Sequence, residues 1–121
     1  MRSQLELGFT LPEHLRVEGG RIIDRDDRVA VLYSPGYGAG WGTWNTEHKD
    51  CVFCPELVVA VLAESSVATL EGIAERHYPD IYVGGLADIA IQWISRGSAF
   101  DIEEYDGYES IRSIWTPAYI A

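Results

Sequence analysis

Between residues 36 and 45 the chain sets Gly36, Gly38, Gly40 and Gly42 in alternation with Tyr37, Ala39, Trp41 and Thr43, then closes on Trp44 and Asn45. Glycine lets the main chain enter left-handed conformations and approach a partner closely. The successive N–H groups of such a turn can form a concave site for an anion. The rings of Tyr37, Trp41 and Trp44 offer flat surface on which a base can stack, a contact worth roughly 1–3 kcal/mol per base. Thr43 and Asn45 can bond the base edge. This points to recognition of a nucleotide-like anion, with Gly36, Gly38 and Gly40 at the phosphate and Arg28, Arg96 or a neighbouring subunit completing the charge. The spacing matches neither a P-loop, which needs a lysine after its last glycine, nor a dinucleotide fingerprint that opens a helix. The same residues also fit a plainer arrangement, in which the tryptophans plug the core and the glycines let the loop cross a sheet closely.

Other chemistry-bearing groups give weaker indications. Asp106-Gly107 is a two-residue hairpin turn, because a type I′ turn needs positive φ at both central positions. It sets Tyr105 opposite Tyr108, Glu104 opposite Glu109, Glu103 opposite Ser110, Ile102 opposite Ile111 and Asp101 opposite Arg112. The Glu104 and Glu109 carboxylates could share a proton or a divalent cation, although a solvated hairpin end with both side chains in water is the commoner arrangement. Cys51 and Cys54 form a single C-x-x-C with His48 nearby, one ligand short of a structural zinc site, and read as two small half-buried residues entering a helix. Ser34 lacks the glycine frame of a nucleophile elbow, and His14, His48 and His77 have no triad partner by spacing. No catalytic residue, metal ligand or cofactor is assigned.

The 121 residues suit one domain able to bury a core without disulfides or metal. Residues 28–115 read as its core and residues 1–27 as an N-terminal extension. A net charge of −10 arises from 19 acidic residues against 9 Lys and Arg, with 10 of those acids and only 3 of those bases beyond residue 60. Such a field repels nucleic-acid backbones and membranes, which argues against duplex binding. No apolar run approaches a membrane span and the N-terminus is unlike a signal peptide, so a cytoplasmic setting is expected.

The elements that must position these groups follow from periodicity. Leu5, Leu7, Phe9 and Leu11 alternate as in a strand, and residues 21–24 and 28–33 suit a hairpin across the Arg25-Asp26-Asp27 tip. Cys54 precedes a helix with Pro55 in its first turn and Leu57, Val58, Val61 and Leu62 on one side. Ser65 or Ser66 caps a second helix through His77, with Val67, Leu70, Ile73 and Ala74 inward. Strands are predicted over residues 81–83, 89–94, 99–105 and 108–115. The fold class is α+β: an antiparallel sheet of four to six strands with two short helices packed on one face.

Three blocks also carry a resemblance. V-A-V-L-Y-S-P-G-Y-G-A-G-W-G-T-W-N at residues 29–45, Y-P-D-I-Y-V-G-G at 78–85 and F-D-I-E-E-Y-D-G-Y-E-S-I at 100–111 resemble a group of short acidic proteins encoded by tailed phages and prophages. The resemblance covers about residues 28–114. It implies a phage setting, in which small accessory proteins antagonise host defence, and brings no activity or catalytic residue with it. The expectation is a non-enzymatic sponge for a nucleotide-like host immune signal, such as a cyclic nucleotide or a cyclic ADP-ribose relative, acting in the host cytosol alone or as a homo-oligomer. The alternative is an acidic inhibitor that covers a basic host defence protein with residues 101–109. A metal-dependent phosphodiesterase is a minor third.

Overall fold

The computed structural model describes residues 9–112 and 119–121. The fold is α+β, its strands divided between two antiparallel sheets. The first has the order β1-β2-β3-β4, from β1 (Arg16–Glu18), β2 (Arg21–Ile23), β3 (Arg28–Tyr33) and β4 (Ala90–Ser95). The second has the order β6-β5-β7, from β5 (Ala99–Tyr105), β6 (Tyr108–Arg112) and β7 (Tyr119–Ile120).

The centre is β3. Its run Val29, Ala30, Val31 and Leu32 is fully buried, and because successive side chains point to opposite faces, both faces of this strand are covered. β4 pairs with it along its whole length, from Arg28 opposite Ser95 to Tyr33 opposite Ala90. The tip expected at residues 25–27 joins β2 to β3, and Asp24 fixes it by accepting from the main-chain N–H groups of Asp26 and Arg28. Residues 16–23 are integral to this sheet, with Ile22 and Ile23 wholly buried.

Both expected helices form. Helix α1 (Pro55–Leu62) opens with Cys54 at its N-cap and Pro55 in the first turn, where its missing N–H leaves no bond unmade, and buries Leu57 and Val58. Helix α2 (Val67–His77) is capped by Ser66, whose hydroxyl accepts from the Thr69 N–H at 3.2 Å, and buries Leu70, Ile73 and Ala74. A clamp joins the start of α1 to the end of α2: Glu56 meets His77 at 3.0 Å and also bonds Arg76. Burial pushes the Glu56 carboxyl up, but the His77 and Arg76 bonds outweigh it and hold the group below its ordinary value. Among the described residues no helix is long and apolar enough to cross a membrane.

The structure departs from the periodicity in a few places. Residues 81–83 are not a strand: the Asn45 side chain takes both the N–H and the carbonyl of Tyr82, groups a sheet ladder would need, and the chain then enters a 3-10 turn at Gly84–Asp88. Phe9 and Leu11 lie in irregular chain, while Leu5 and Leu7 fall outside the described residues, as does the expected continuation of β6 beyond Arg112. The short β7, which pairs with the start of β5, was not predicted.

Candidate functional site

The glycine loop closes around one side chain. Glu109, on β6, is 0% exposed, and both of its carboxylate oxygens are engaged. Oε1 accepts from the Ser34 N–H at 2.9 Å. Oε2 accepts from the N–H groups of Trp41 at 2.8 Å and Thr43 at 3.0 Å, and from the Thr43 hydroxyl at 2.5 Å. Glu109 returns one bond, its own N–H donating to the Ser34 carbonyl at 2.7 Å. No cation pairs with it among the described residues. A buried carboxylate is tolerated only when donors replace its lost hydration, and here main-chain amides do most of that.

Main-chain N–H groups at the two ends of this loop do hold an anion, but they are those of Ser34, Trp41 and Thr43 rather than of the expected Gly36, Gly38 and Gly40, and the anion belongs to the chain. The expected solvated Glu104 and Glu109 pair is corrected in the same way. Their register is as the turn predicted, yet Glu109 turns inward while Glu104 stays outside, accepting from the Trp44 indole N–H at 3.1 Å and the Gly107 N–H at 2.6 Å. With both Glu109 oxygens committed to donors, the pair does not present a chelating site.

The remaining loop residues divide between structure and surface. Trp41 is 0% exposed and donates its indole N–H to the Cys51 carbonyl at 3.1 Å, so its ring packs in the core and cannot stack on a ligand. Asn45 is buried, bonding the Trp41 carbonyl and both main-chain groups of Tyr82, and its amide is not free to read a base. Thr43 is spent on Glu109. The Gly38 N–H donates to the Asp106 carbonyl at 2.6 Å rather than facing a phosphate. Close approach explains two of the glycines, since a Cβ at Gly40 would meet the Thr43 and Trp44 side chains and one at Gly36 the Asp88 carboxylate, while Gly38 is required by its positive φ. On the facing elements, Gly85 and Gly107 leave room for the loop main chain at Gly40 and Ala39.

Arg28 and Arg96, expected to complete the charge of the loop site, are instead paired cations of another region. Arg28 meets Asp24 at 2.8 Å, and Arg96 meets Glu18 at 2.7 Å. Both sit where β3 begins, about 17 Å of strand from the loop at its other end, so they do not complete a site there within one chain.

What the loop and hairpin leave exposed is aromatic and acidic. Tyr37, 71% exposed, stacks on Tyr108 with ring centroids 5.1 Å apart. Tyr105, across the turn, is 72% exposed, with Glu103, Glu104 and Asp106 beside it in the chain and all three exposed. Trp44, 41% exposed, lies 5.3 Å from Tyr82 and borders a cleft of about 230 Å³ lined also by Asn45, Glu47, His48 and Asp80.

Burial holds both thiols of the C-x-x-C pair toward the neutral form. Burial pushes the Cys51 thiol up strongly, with Glu109 and Cys54 adding to it, and burial raises Cys54 as well. Tyr119 is pushed up to about 12, by burial first and then by Cys51 and Glu109. Among the described residues no three His, Cys, Asp or Glu side chains are grouped to hold a metal ion.

Sequence reasoning missed the role of Glu109, although its position was readable. Counting by two from Ile111 puts Glu109 on the inward face of the hairpin, where a carboxylate needs donors, while Glu104 shares that face at its exposed end beside the turn. Tyr82 had no such indication, since its contact with Trp44 joins residues far apart in the chain. Comparison with protein-family models, with curated proteins and with solved structures returns no match.

Proposed function

We propose that the protein is a non-enzymatic binding module whose tyrosine-bearing, acidic hairpin face docks on a basic surface of a partner protein. One observation carries this reading: the glycine loop is closed on Glu109, while Tyr37, Tyr105 and Tyr108 stand exposed beside Glu103, Glu104 and Asp106. Tyrosine is a favoured residue at interfaces because its ring gives contact area at little entropic cost while its hydroxyl stays wet. Charge complementarity then selects a basic partner for a chain of net charge −10. In the phage setting that the resemblance implies, the partner is a host defence protein in the host cytosol. Capture of basic proteins on immobilised protein should weaken steeply as salt rises, since exposed charges are screened beyond about 10 Å at 0.1 M ionic strength. The triple variant Glu103→Gln, Glu104→Gln, Asp106→Asn should lose the captured protein. A capture that survives both high salt and that variant rules the reading out.

A second reading keeps the nucleotide-like signal but moves it to the cleft beside Trp44 and Tyr82. The half-exposed indole and phenol favour it, and the Glu47 and Asp80 carboxylates on the rim oppose a phosphate. Calorimetry with cyclic nucleotides and cyclic ADP-ribose relatives should then give heat that Trp44→Ala abolishes. Silence across the panel, or unchanged heat in the variant, eliminates it.

A further inference from the structure

We infer that the basic partner is read through arginine rather than lysine, a refinement that rests on the docking function proposed for the hairpin face. At the end of the hairpin a depression of about 380 Å³ is lined by Glu103, Glu104, Tyr105, Tyr108 and Ser110. Two kinds of wall meet there, the phenol rings and the Glu103 carboxylate, which share one face of the hairpin by the register. A guanidinium answers both at once: it is planar, weakly hydrated, stacks on aromatic faces and offers a fork of donors to a carboxylate. An ammonium is a compact, strongly hydrated point charge that answers the carboxylates alone.

Acidic groups surround the rings at this end of the hairpin, where Glu103, Glu104 and Asp106 are all exposed. Neither Glu104 nor Asp106 has a cationic partner among the described residues. Glu103 already shows the contact in miniature, meeting the Arg112 guanidinium at 2.9 Å on this same hairpin. Elsewhere in the chain Arg21 lies 4.0 Å over the Phe53 ring, so ring and guanidinium also meet within this fold.

The test titrates the whole protein, at low ionic strength, with two unstructured peptides of equal length and charge, one alternating Arg with Gly and the other Lys with Gly. The arginine peptide should bind roughly two- to five-fold more tightly, the range expected of an exposed cation–π contact. Tyr105→Leu and Tyr105→Leu/Tyr108→Leu should erase that margin, and an unchanged far-ultraviolet circular dichroism spectrum shows that the variants fold. Equal binding of both peptides by the unaltered protein overturns the arginine inference and leaves the docking reading standing. A margin that persists in the double variant likewise overturns it, because the rings would then not be its source. If neither peptide binds, the docking reading falls together with the inference.

Discussion

At the scale of single residues, the closed state of the glycine loop depends on Glu109. Three main-chain N–H groups and one hydroxyl converge on its carboxylate in a site without water access. Glu109→Gln keeps the size but sets an amide NH2 against at least one of those donors, and it removes the charge that shortens the bonds. The expected cost is about 2–3 kcal/mol, or a melting midpoint lowered by roughly 10 °C. Thr43→Val, which deletes only the hydroxyl, should cost about 1 kcal/mol. Denaturant titration of both variants checks the order, and an unchanged midpoint for Glu109→Gln would refute the latch. The capacity of the loop to hold an anion was legible in its run of glycines, although the amides that do so are those of Ser34, Trp41 and Thr43. The anion was not, because it arrives from more than sixty residues away, and nothing local to the loop names it. The tryptophans show the same division: Trp41 and Trp44 look alike in the sequence, yet only the packing around Cys51 seals the first and leaves the second half in water.

At the scale of elements, whatever carried a local signature was readable. Pro55 after Cys54, Ser66 before α2, and Asp106-Gly107 between β5 and β6 each act within a few residues of themselves. The structure places all three as their chemistry required, with Asp106 and Gly107 both at positive φ. Residues 81–83 misled because three β-favouring residues are a short run, and a distant side chain, Asn45, took the main-chain groups of Tyr82. The clamp between α1 and α2 is also non-local, and it gives the fold an acid sensitivity. Glu56 is held below its ordinary value in the folded state, so its contribution is complete above the unfolded-state value near pH 4 and is lost as pH falls through the lower, folded value. Glu56→Gln should therefore flatten the decline in stability below about pH 4 while costing less than about 1 kcal/mol at neutral pH, since its partners Arg76 and His77 are exposed. Unfolding curves recorded across that range decide it. A slope as steep in the variant as in the parent would mean that other carboxylates, Asp24 among them, carry the acid response.

At the scale of the whole molecule, the net charge of −10 is the widest constraint and was legible from composition alone. It weighs against phosphate as a ligand, and the structure adds a reason from within: the one concave set of main-chain donors described in the loop is filled by the chain's own carboxylate. The charge also favours the docking proposed for β5 and β6, since acids that repel one another along a hairpin end would be relieved by a cationic surface. The tyrosines among them supply the contact area that charge alone lacks.

The way the loop is gripped separates its architecture from its lettering. Three of the four donors to Glu109 are amides of the peptide backbone, present whatever side chain a position bears. Exposed positions such as Tyr37 can thus be rewritten without loosening the frame, so long as one acidic residue stays in place on the opposite hairpin. A surface built in this manner can follow a changing partner through successive substitutions while the fold beneath it is conserved.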